Sequence, residues 1–368
     1  MNKGKNNKTI FSLIGAACIV AVILLMISLA GKKIEQESVR VGVIMSGGIE
    51  ETGWNGMHYY GLKQASDKLG IELLIEEHVK EFSGECTEAI EELVEQGAEM
   101  IILTSYNYSE EAKELVKEYP QIVFYVNSSE HHDTNMTSYF VRMYQARYLS
   151  GIIAGMKTEG NQIGYVAAMP NNEVNRGINA FTLGVKRVNP EAQVVVTYTG
   201  EWDNKEKEME AANNLIQEEQ VDVITYHQNQ PNVVEAAEQA GIYSIAYHET
   251  MKESSANNLT TVQCSWELVY EAILREFMVG KSNIQDNYWI GLEAEAVGLS
   301  EYSELVSEDI KKEIEAAKNE ILAGKDVFSG IIYDTEGSLR CDEKEFISDE
   351  NLLEHMDWYV EGVRFYER

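Results

Sequence analysis

Cysteine is scarce in this chain and ill-placed for structural chemistry. Four occur in 368 residues, at positions 18, 86, 264 and 341. Cys18 lies in an apolar N-terminal run, an odd three remain, and no CxxC pair exists, which excludes a disulfide framework and a zinc site. One long-range bridge among Cys86, Cys264 and Cys341 stays open beside the simpler reading of three reduced, partly buried thiols. Catalytic signatures are missing as well: there is no GxSxG, HExxH or GxGxxG. Gly280-Lys281-Ser282 matches the end of a phosphate-binding loop, but Arg275 stands where its first glycine must be, and a predicted helix rather than a strand precedes it. His131-His132-Asp133 reads as a solvated turn rather than a metal site. Adjacent loop carboxylates such as Glu50 and Glu51 do not aim at one bond. These absences point away from an enzyme, a resident metal and a cofactor.

Positive charge is short. There are 30 basic and 61 acidic side chains, a formal balance of −31, and the first 33 residues hold five lysines and no acid. The remainder therefore carries 25 basic against 61 acidic groups, or −36. A surface that acidic repels phosphate backbones, excluding nucleic acid as a partner, and no Lys/Arg cluster offers a pocket for anions.

Long apolar runs are limited to one. Lys3, Lys5 and Lys8 precede Ile10–Gly31, 22 residues without a charge. That length spans a bilayer, and the basic flank stays cytoplasmic, so residues 1–33 read as a signal or anchor segment touching the membrane. Ser28-Leu29-Ala30 also fits a cleavage site, and Gly15-Ala16-Ala17-Cys18 faintly resembles a lipobox. All three readings put the rest of the chain on the extracytoplasmic side.

What the chain has in quantity is one repeated grammar. Ile163-Gly164-Tyr165-Val166-Ala167-Ala168 is a β-branched strand, and Glu173–Val188 after it carries apolar residues at helical spacing. Strands are predicted at Val39–Met45, Ile71–Ile75, Met100–Thr104, Gln121–Val126 and Thr137–Val141, alternating with helices that include Glu110–Tyr119. A second set follows at Ile163–Ala168, Gln193–Tyr198, Val221–Tyr226 and Tyr243–Tyr247, with Leu259–Gln263 predicted to return the chain to the first lobe. Helices Trp266–Val279 and Glu308–Ala323 complete the elements. The expected fold is α/β, with two doubly wound lobes joined by a hinge. After a linker at 34–38, residues 39–140 plus about 250–285 form the N-lobe. Residues 141–249 plus about 286–368 form the C-lobe with a C-terminal extension.

In such sheets ligands sit beyond the carboxyl ends of the strands. The loops predicted there carry aromatics: Trp54, Tyr106 and Tyr108, Trp202, and Trp266. Rings from facing lobes can hold a flat heterocycle, each stack contributing about 1–3 kcal/mol for nucleobases. Asn55, His227, Gln228, Asn229 and His248 are polar groups placed to read its edge. A neutral, planar, hydrogen-bonding ligand suits both these side chains and the acidic field.

Several segments resemble the basic membrane protein family of solute-binding proteins, which includes purine nucleoside receptors of ABC transporters. They are Gly53-Trp54-Asn55, Arg147-Tyr-Leu-Ser-Gly-Ile-Ile-Ala-Gly155, Ile163–Ala168, Glu173-Val-Asn-Arg-Gly-Ile-Asn-Ala-Phe-Thr-Leu-Gly184 and Val188-Asn-Pro190. Gly291-Leu292 with Val297 and Asp357–Val363 match more weakly, and the likeness runs from Val39 to near the C-terminus. The resemblance implies a type I periplasmic-binding fold and a monomer that captures a purine base or nucleoside for ABC permease subunits. It also implies roles for single residues. Trp54 stacks on the base beside Asn55, Trp202 faces it from the other lobe, and Tyr106 occupies a cleft-loop position. His227 and Trp266 match a branch resembling free-base binders. His248 stands where the family has an aspartate, and Gln263 or Cys264 where nucleoside receptors have a lysine, which weakens the case for ribose recognition. A ligand-sensing surface protein of the same fold, without transport, is the alternative the family also implies.

Overall fold

The computed structural model describes residues 38–366 except 52, 130–132, 249–254 and 281–287. The segment read as an anchor, residues 34–37 of the linker and the His131-His132 pair lie outside the described residues. Among the described residues, no helix is long and apolar enough to cross a membrane.

The first part of the chain alternates as expected: β1 (Arg40–Ile44), α1 (Trp54–Leu69), β2 (Glu72–Glu76), α2 (Glu85–Glu95), β3 (Met100–Leu103), α3 (Tyr108–Ala112), α4 (Leu115–Glu118), β4 (Val123–Asn127) and β5 (Met136–Val141). The single helix predicted over 110–119 is two short ones, with no proline or glycine between them. A second alternating set follows: α5 (Met143–Lys157), β6 (Gln162–Ala167), α6 (Asn172–Val188), β7 (Gln193–Tyr198), α7 (Lys205–Glu218), β8 (Val223–His227), α8 (Asn232–Ala240), β9 (Tyr243–Tyr247) and β10 (Asn258–Cys264). The last third is more broken: α9 (Trp266–Met278), β11 (Tyr288–Ile290), β12 (Val297–Leu299), α10 (Glu308–Leu322), β13 (Ile332–Tyr333), β14 (Leu339–Cys341), α11 (Asp349–Glu354) and β15 (Val363–Phe365).

Two sheets result. The first has the order β11-β5-β4-β3-β1-β2, all parallel; the second has β12-β10-β9-β8-β6-β7-β15, parallel except where β12 runs against β10. Parallel strands covered by helices on both faces must be apolar throughout. The fully buried Met-Ile-Ile-Leu of β3 shows this. In each sheet the strand order reverses beside the lobe's first strand, β1 or β6, giving two switch points.

The return to the first lobe differs from the expectation. Residues 259–263 belong to β10, which pairs with β9 and β12 in the second sheet. The chain goes back one element later, when α9 packs on α1 and β11 joins β5. A short half-polar strand fits either sheet by pattern, so its partners decide. The crossovers lie at Arg142, Ser265 and Gly291. They are tied together where Arg142 N–H donates to Ile290 O at 2.7 Å and Ser265 N–H to Ala296 O at 2.9 Å.

The glycines of the SGIIAG segment are packing residues. A Cβ on Gly151 would sit 2.0 Å from Phe181 O, and one on Gly184 would sit 2.0 Å from Tyr148 O. Helices α5 and α6 therefore meet backbone to backbone. This contact presses α6, whose first turn reaches the cleft, onto the second sheet. Cys86, Cys264 and Cys341 are free and buried.

Candidate functional site

The carboxyl ends of both sheets converge on one tight cleft with a cavity of about 30 Å³. From the first lobe come Ser46 after β1, Trp54 at the start of α1, Ser105 and Tyr106 after β3, and Asn127 and Ser128 at the end of β4. From the second come Glu173 in the first turn of α6, Trp202 after β7, His227, Gln228 and Asn229 at the end of β8, and Tyr247 at the end of β9. Each lies where a parallel strand releases the chain, which is why residues distant in sequence meet here.

Six of the ten residues singled out from sequence line this cleft: Trp54, Tyr106, Trp202, His227, Gln228 and Asn229. Asn55 does not. It is buried in the first turn of α1, donating to Glu51 Oε2 at 2.9 Å and accepting from Ser46 Oγ at 3.4 Å, and it reaches only the outer mouth. His248 and Trp266 stand behind Trp54, edge-on to its ring with centroids 5.1 and 5.7 Å away. Both are buried, and they support the indole rather than face the cleft. Trp54 Nε1 donates to Thr104 O at 2.9 Å, fixing the ring in the first lobe. Sequence reading missed Ser46, Ser105, Asn127, Ser128, Glu173 and Tyr247. Glu173 carries the clearest missed signal: an acid opening the helix after a central strand.

The two lobes touch. Trp54 N–H donates to Asn229 O at 3.2 Å, and Gln230 Nε2 to Glu51 Oε2 at 3.2 Å, so the arrangement is closed. The second-lobe loops are stitched to each other below that contact. Asn229 N–H donates to Trp202 O at 2.9 Å, Gln228 Nε2 to Thr199 Oγ1 at 2.8 Å, and Asn232 Nδ2 to the buried Glu208 at 2.9 Å.

One carboxylate and no lysine or arginine lines the cleft. Glu173 Oε1 lies 3.1 Å from His227 Nε2. Burial alone would raise Glu173, but His227 and the nearby Arg176 and Arg147 guanidiniums outweigh it and hold the carboxyl below its ordinary range. Burial holds His227 below the usual histidine range against the pull of Glu173. The imidazole is therefore neutral, with Nε2–H donating to Glu173 and Nδ1 left as an acceptor. Burial also keeps His58 and His248 well below the histidine range. Arg147 backs this wall: it donates to Tyr226 O at 2.8 Å and lies 4.1 Å from the Tyr247 ring centroid. Arg176, pulled down to about 10 by burial, remains a cation at neutral pH.

Five lining side chains carry a buried polar atom without a protein partner among the described residues. They are Asn127 Nδ2, Trp202 Nε1, His227 Nδ1, Gln228 Oε1 and Tyr247 Oη. Each such atom costs about 1–3 kcal/mol while unpaired. Donors and acceptors concentrated between aromatic rings fit a planar ligand with both kinds of edge. Among the described residues, no group of three His, Cys, Asp or Glu is arranged to hold a metal ion.

A family model described as "ABC transporter substrate-binding protein PnrA-like" matches residues 38–327. A putative ABC transporter glucose-binding protein of Haloferax volcanii is 33% identical over 332 residues, covering 89% of this chain and 81% of that one. A purine-binding protein of Brucella abortus is 30% identical over 341 residues, covering 91% and 95%. A Bacillus subtilis protein described as the transcriptional activator protein med is 23% identical over 299 residues, covering 80% and 92%. Among solved structures, a transcriptional activator of the comK gene from Bacillus halodurans superposes with a TM-score of 0.67 at 27% identity, covering 77% of this chain and 98% of that one. An ABC transporter solute-binding protein from Aeropyrum pernix gives 0.66 at 18% identity, covering 81% and 93%.

Proposed function

The chain belongs to the PnrA-like family of ABC transporter substrate-binding proteins, and from that membership we propose that it captures a purine base or nucleoside outside the cytoplasm and presents it to an ABC permease by closing two lobes. The observation that carries the ligand class is the lining itself. Trp54 and Tyr106 from one lobe face a cleft shared with Trp202 and Tyr247 from the other, around five unpartnered polar atoms and one carboxylate. A purine offers two aromatic faces, N–H donors for Glu173 and Gln228, and ring nitrogens or a carbonyl for Trp202 and Asn127. A lining without a cation disfavours nucleotides. A monosaccharide, the ligand in the name of the haloarchaeal relative, offers a ring of hydroxyls that one carboxylate and three serines satisfy less completely.

Ligand bridges both lobes only in the closed form, so it shifts the open–closed equilibrium by its differential affinity. The test is thermal unfolding of the purified protein with adenine, guanine, hypoxanthine, their nucleosides, glucose and ribose. Ligand at one hundred times Kd adds about 2.7 kcal/mol. A shift with purines alone supports this reading. A shift with glucose alone ends it and favours a sugar receptor. The relatives described as transcriptional activators favour a second reading, in which the same closure serves sensing. Stimulation of ATP hydrolysis by the reconstituted permease separates import from sensing.

A further inference from the structure

Beyond the matched family region, the C-terminal segment sits on the crossovers rather than on the cleft. Arg142 occupies the first crossover, and its guanidinium lies 4.2 Å from the ring centroid of Trp289 in β11. The guanidinium of Arg176, from the second lobe, lies 5.0 Å from the same ring. Two cations near one indole repel unless each has an acceptor. Helix α11 supplies both acceptors. Asp349 takes a two-point pair from Arg142, one arm at 2.8 Å, and Leu352 O accepts from Arg176 at 2.6 Å.

The attachment continues along α6. Asn172 Oδ1 accepts from Met356 N–H at 2.9 Å, Asn175 Nδ2 donates to Met356 O at 2.8 Å, and Asn179 Nδ2 donates to Trp358 O at 2.9 Å. Val360 N–H returns to Asn179 Oδ1 at 2.9 Å. Positions 172, 175, 176 and 179 form one helical stripe, and each of the four bonds the backbone of 352–360. The same helix carries Glu173 into the cleft.

We propose that α11 and the segment running to Val360 are a hinge brace. It holds the Arg142 and Arg176 guanidiniums against Trp289 and thereby sets the angle between the lobes before ligand arrives. Trp289 moves with the first sheet and Arg176 with the second. Rotation about the crossovers therefore changes their separation, and the brace grips both arginines at the pivot. Asp349 and Arg142 act through lobe geometry, as positioning residues with no ligand contact.

The test uses the ligand-free full-length protein with Cys18→Ser and spin labels on Lys117→Cys and Glu206→Cys, one exposed site in each lobe. Cys86, Cys264 and Cys341 are buried from the label. The interlobe distance distribution is read by pulsed electron resonance. Asp349→Ala is expected to raise the open fraction roughly three- to tenfold, the weight of a partly exposed two-point pair. Asp349→Glu is expected to restore most of the closed population. An Asp349→Ala distribution indistinguishable from the parent overturns the brace. Should that variant fail to fold, Arg142→Lys, which keeps the charge and loses the fork, gives the same reading. No ligand is needed, so failure of the purine reading and failure of the brace are seen separately.

Discussion

Trp54 donates its backbone N–H to the carbonyl oxygen of Asn229, 3.2 Å away on the opposite lobe. The residue before it permits the approach: a Cβ on Gly53 would lie 1.8 Å from that oxygen. The clash exists only while the lobes are closed, because Asn229 belongs to the second lobe. Gly53→Ala is therefore expected to fold with near-parental ligand-free stability while binding at least about 100-fold more weakly, since the binding-competent state is depopulated. Calorimetry and small-angle scattering check this. Full affinity in Gly53→Ala would mean that binding does not require the lobes to meet at Asn229.

The tryptophans divide into two kinds. Trp54 and Trp202 line the cleft and are only partly buried, whereas Trp266 is 2% exposed and surrounded by His58, Tyr139 and Tyr270. Trp202→Ala is expected to cost about 1–3 kcal/mol of ligand affinity with little change in melting temperature. Trp266→Ala opens a core cavity and is expected to cost about 3–5 kcal/mol of stability. Equal melting losses in the two variants would erase the distinction.

That division shows what the sequence could disclose. Strand–loop–helix punctuation located the loops after β1, β3, β7 and β8, and the aromatics in them, so Trp54, Tyr106, Trp202 and His227 were legible. Depth was not. Trp266 opens a helix just after a strand, as Trp54 nearly does, and only the packing of α9 on α1 turns its ring inward. Glu173, Asn127 and Tyr247 were missed because an acid in a helix's first turn, or a polar residue ending a strand, is ordinary in any α/β protein. The brace was illegible for another reason. Asn172, Asn175 and Asn179 read as one polar helix face, and nothing local says that a backbone some 180 residues later covers it.

The close crossing of α5 and α6 makes a stability prediction. A Cβ on Gly184 would meet Tyr148 O at 2.0 Å, a backbone atom that moves only with its helix. Gly184→Ala is expected to destabilise by about 1–3 kcal/mol, the cost of overpacking, despite the better helix propensity of alanine. Denaturant unfolding measures it, and a stabilised variant would contradict the contact.

Stability against pH follows from four buried groups. His58, His227 and His248 are all held below the histidine range, by burial first. The unfolded chain therefore takes up protons, from about pH 6.5 downward, that the folded chain refuses. Their contribution is complete above about pH 6.5 and is lost as pH falls. Glu208, pushed up to about 7 by burial, works the other way between about 4.5 and 7, where the folded chain holds its proton and the unfolded chain does not. Three histidines outweigh one glutamate, so the melting temperature is expected to fall from pH 6.5 toward pH 5. His248→Phe is expected to reduce that slope, and an unchanged slope would show that His248 is not among the groups that titrate on unfolding.

Glu173 decides whether the cleft reads donors. Its Oε1 already accepts from the neutral His227, and buried Arg147 and Arg176 keep the group ionised. Glu173→Gln retains the shape and one acceptor but removes the charge. A hydrogen bond to a charged acceptor is worth about 1.5–3 kcal/mol, so hypoxanthine affinity at pH 7 is expected to fall about 10- to 150-fold. Urate, an anion at that pH, meets repulsion from the native carboxylate and is expected to bind the variant no worse than the parent. Titration calorimetry with both ligands separates two roles. A selective loss of hypoxanthine means that Glu173 faces the ligand. A parallel loss of both means that it serves only as the counter-charge of Arg147 and Arg176.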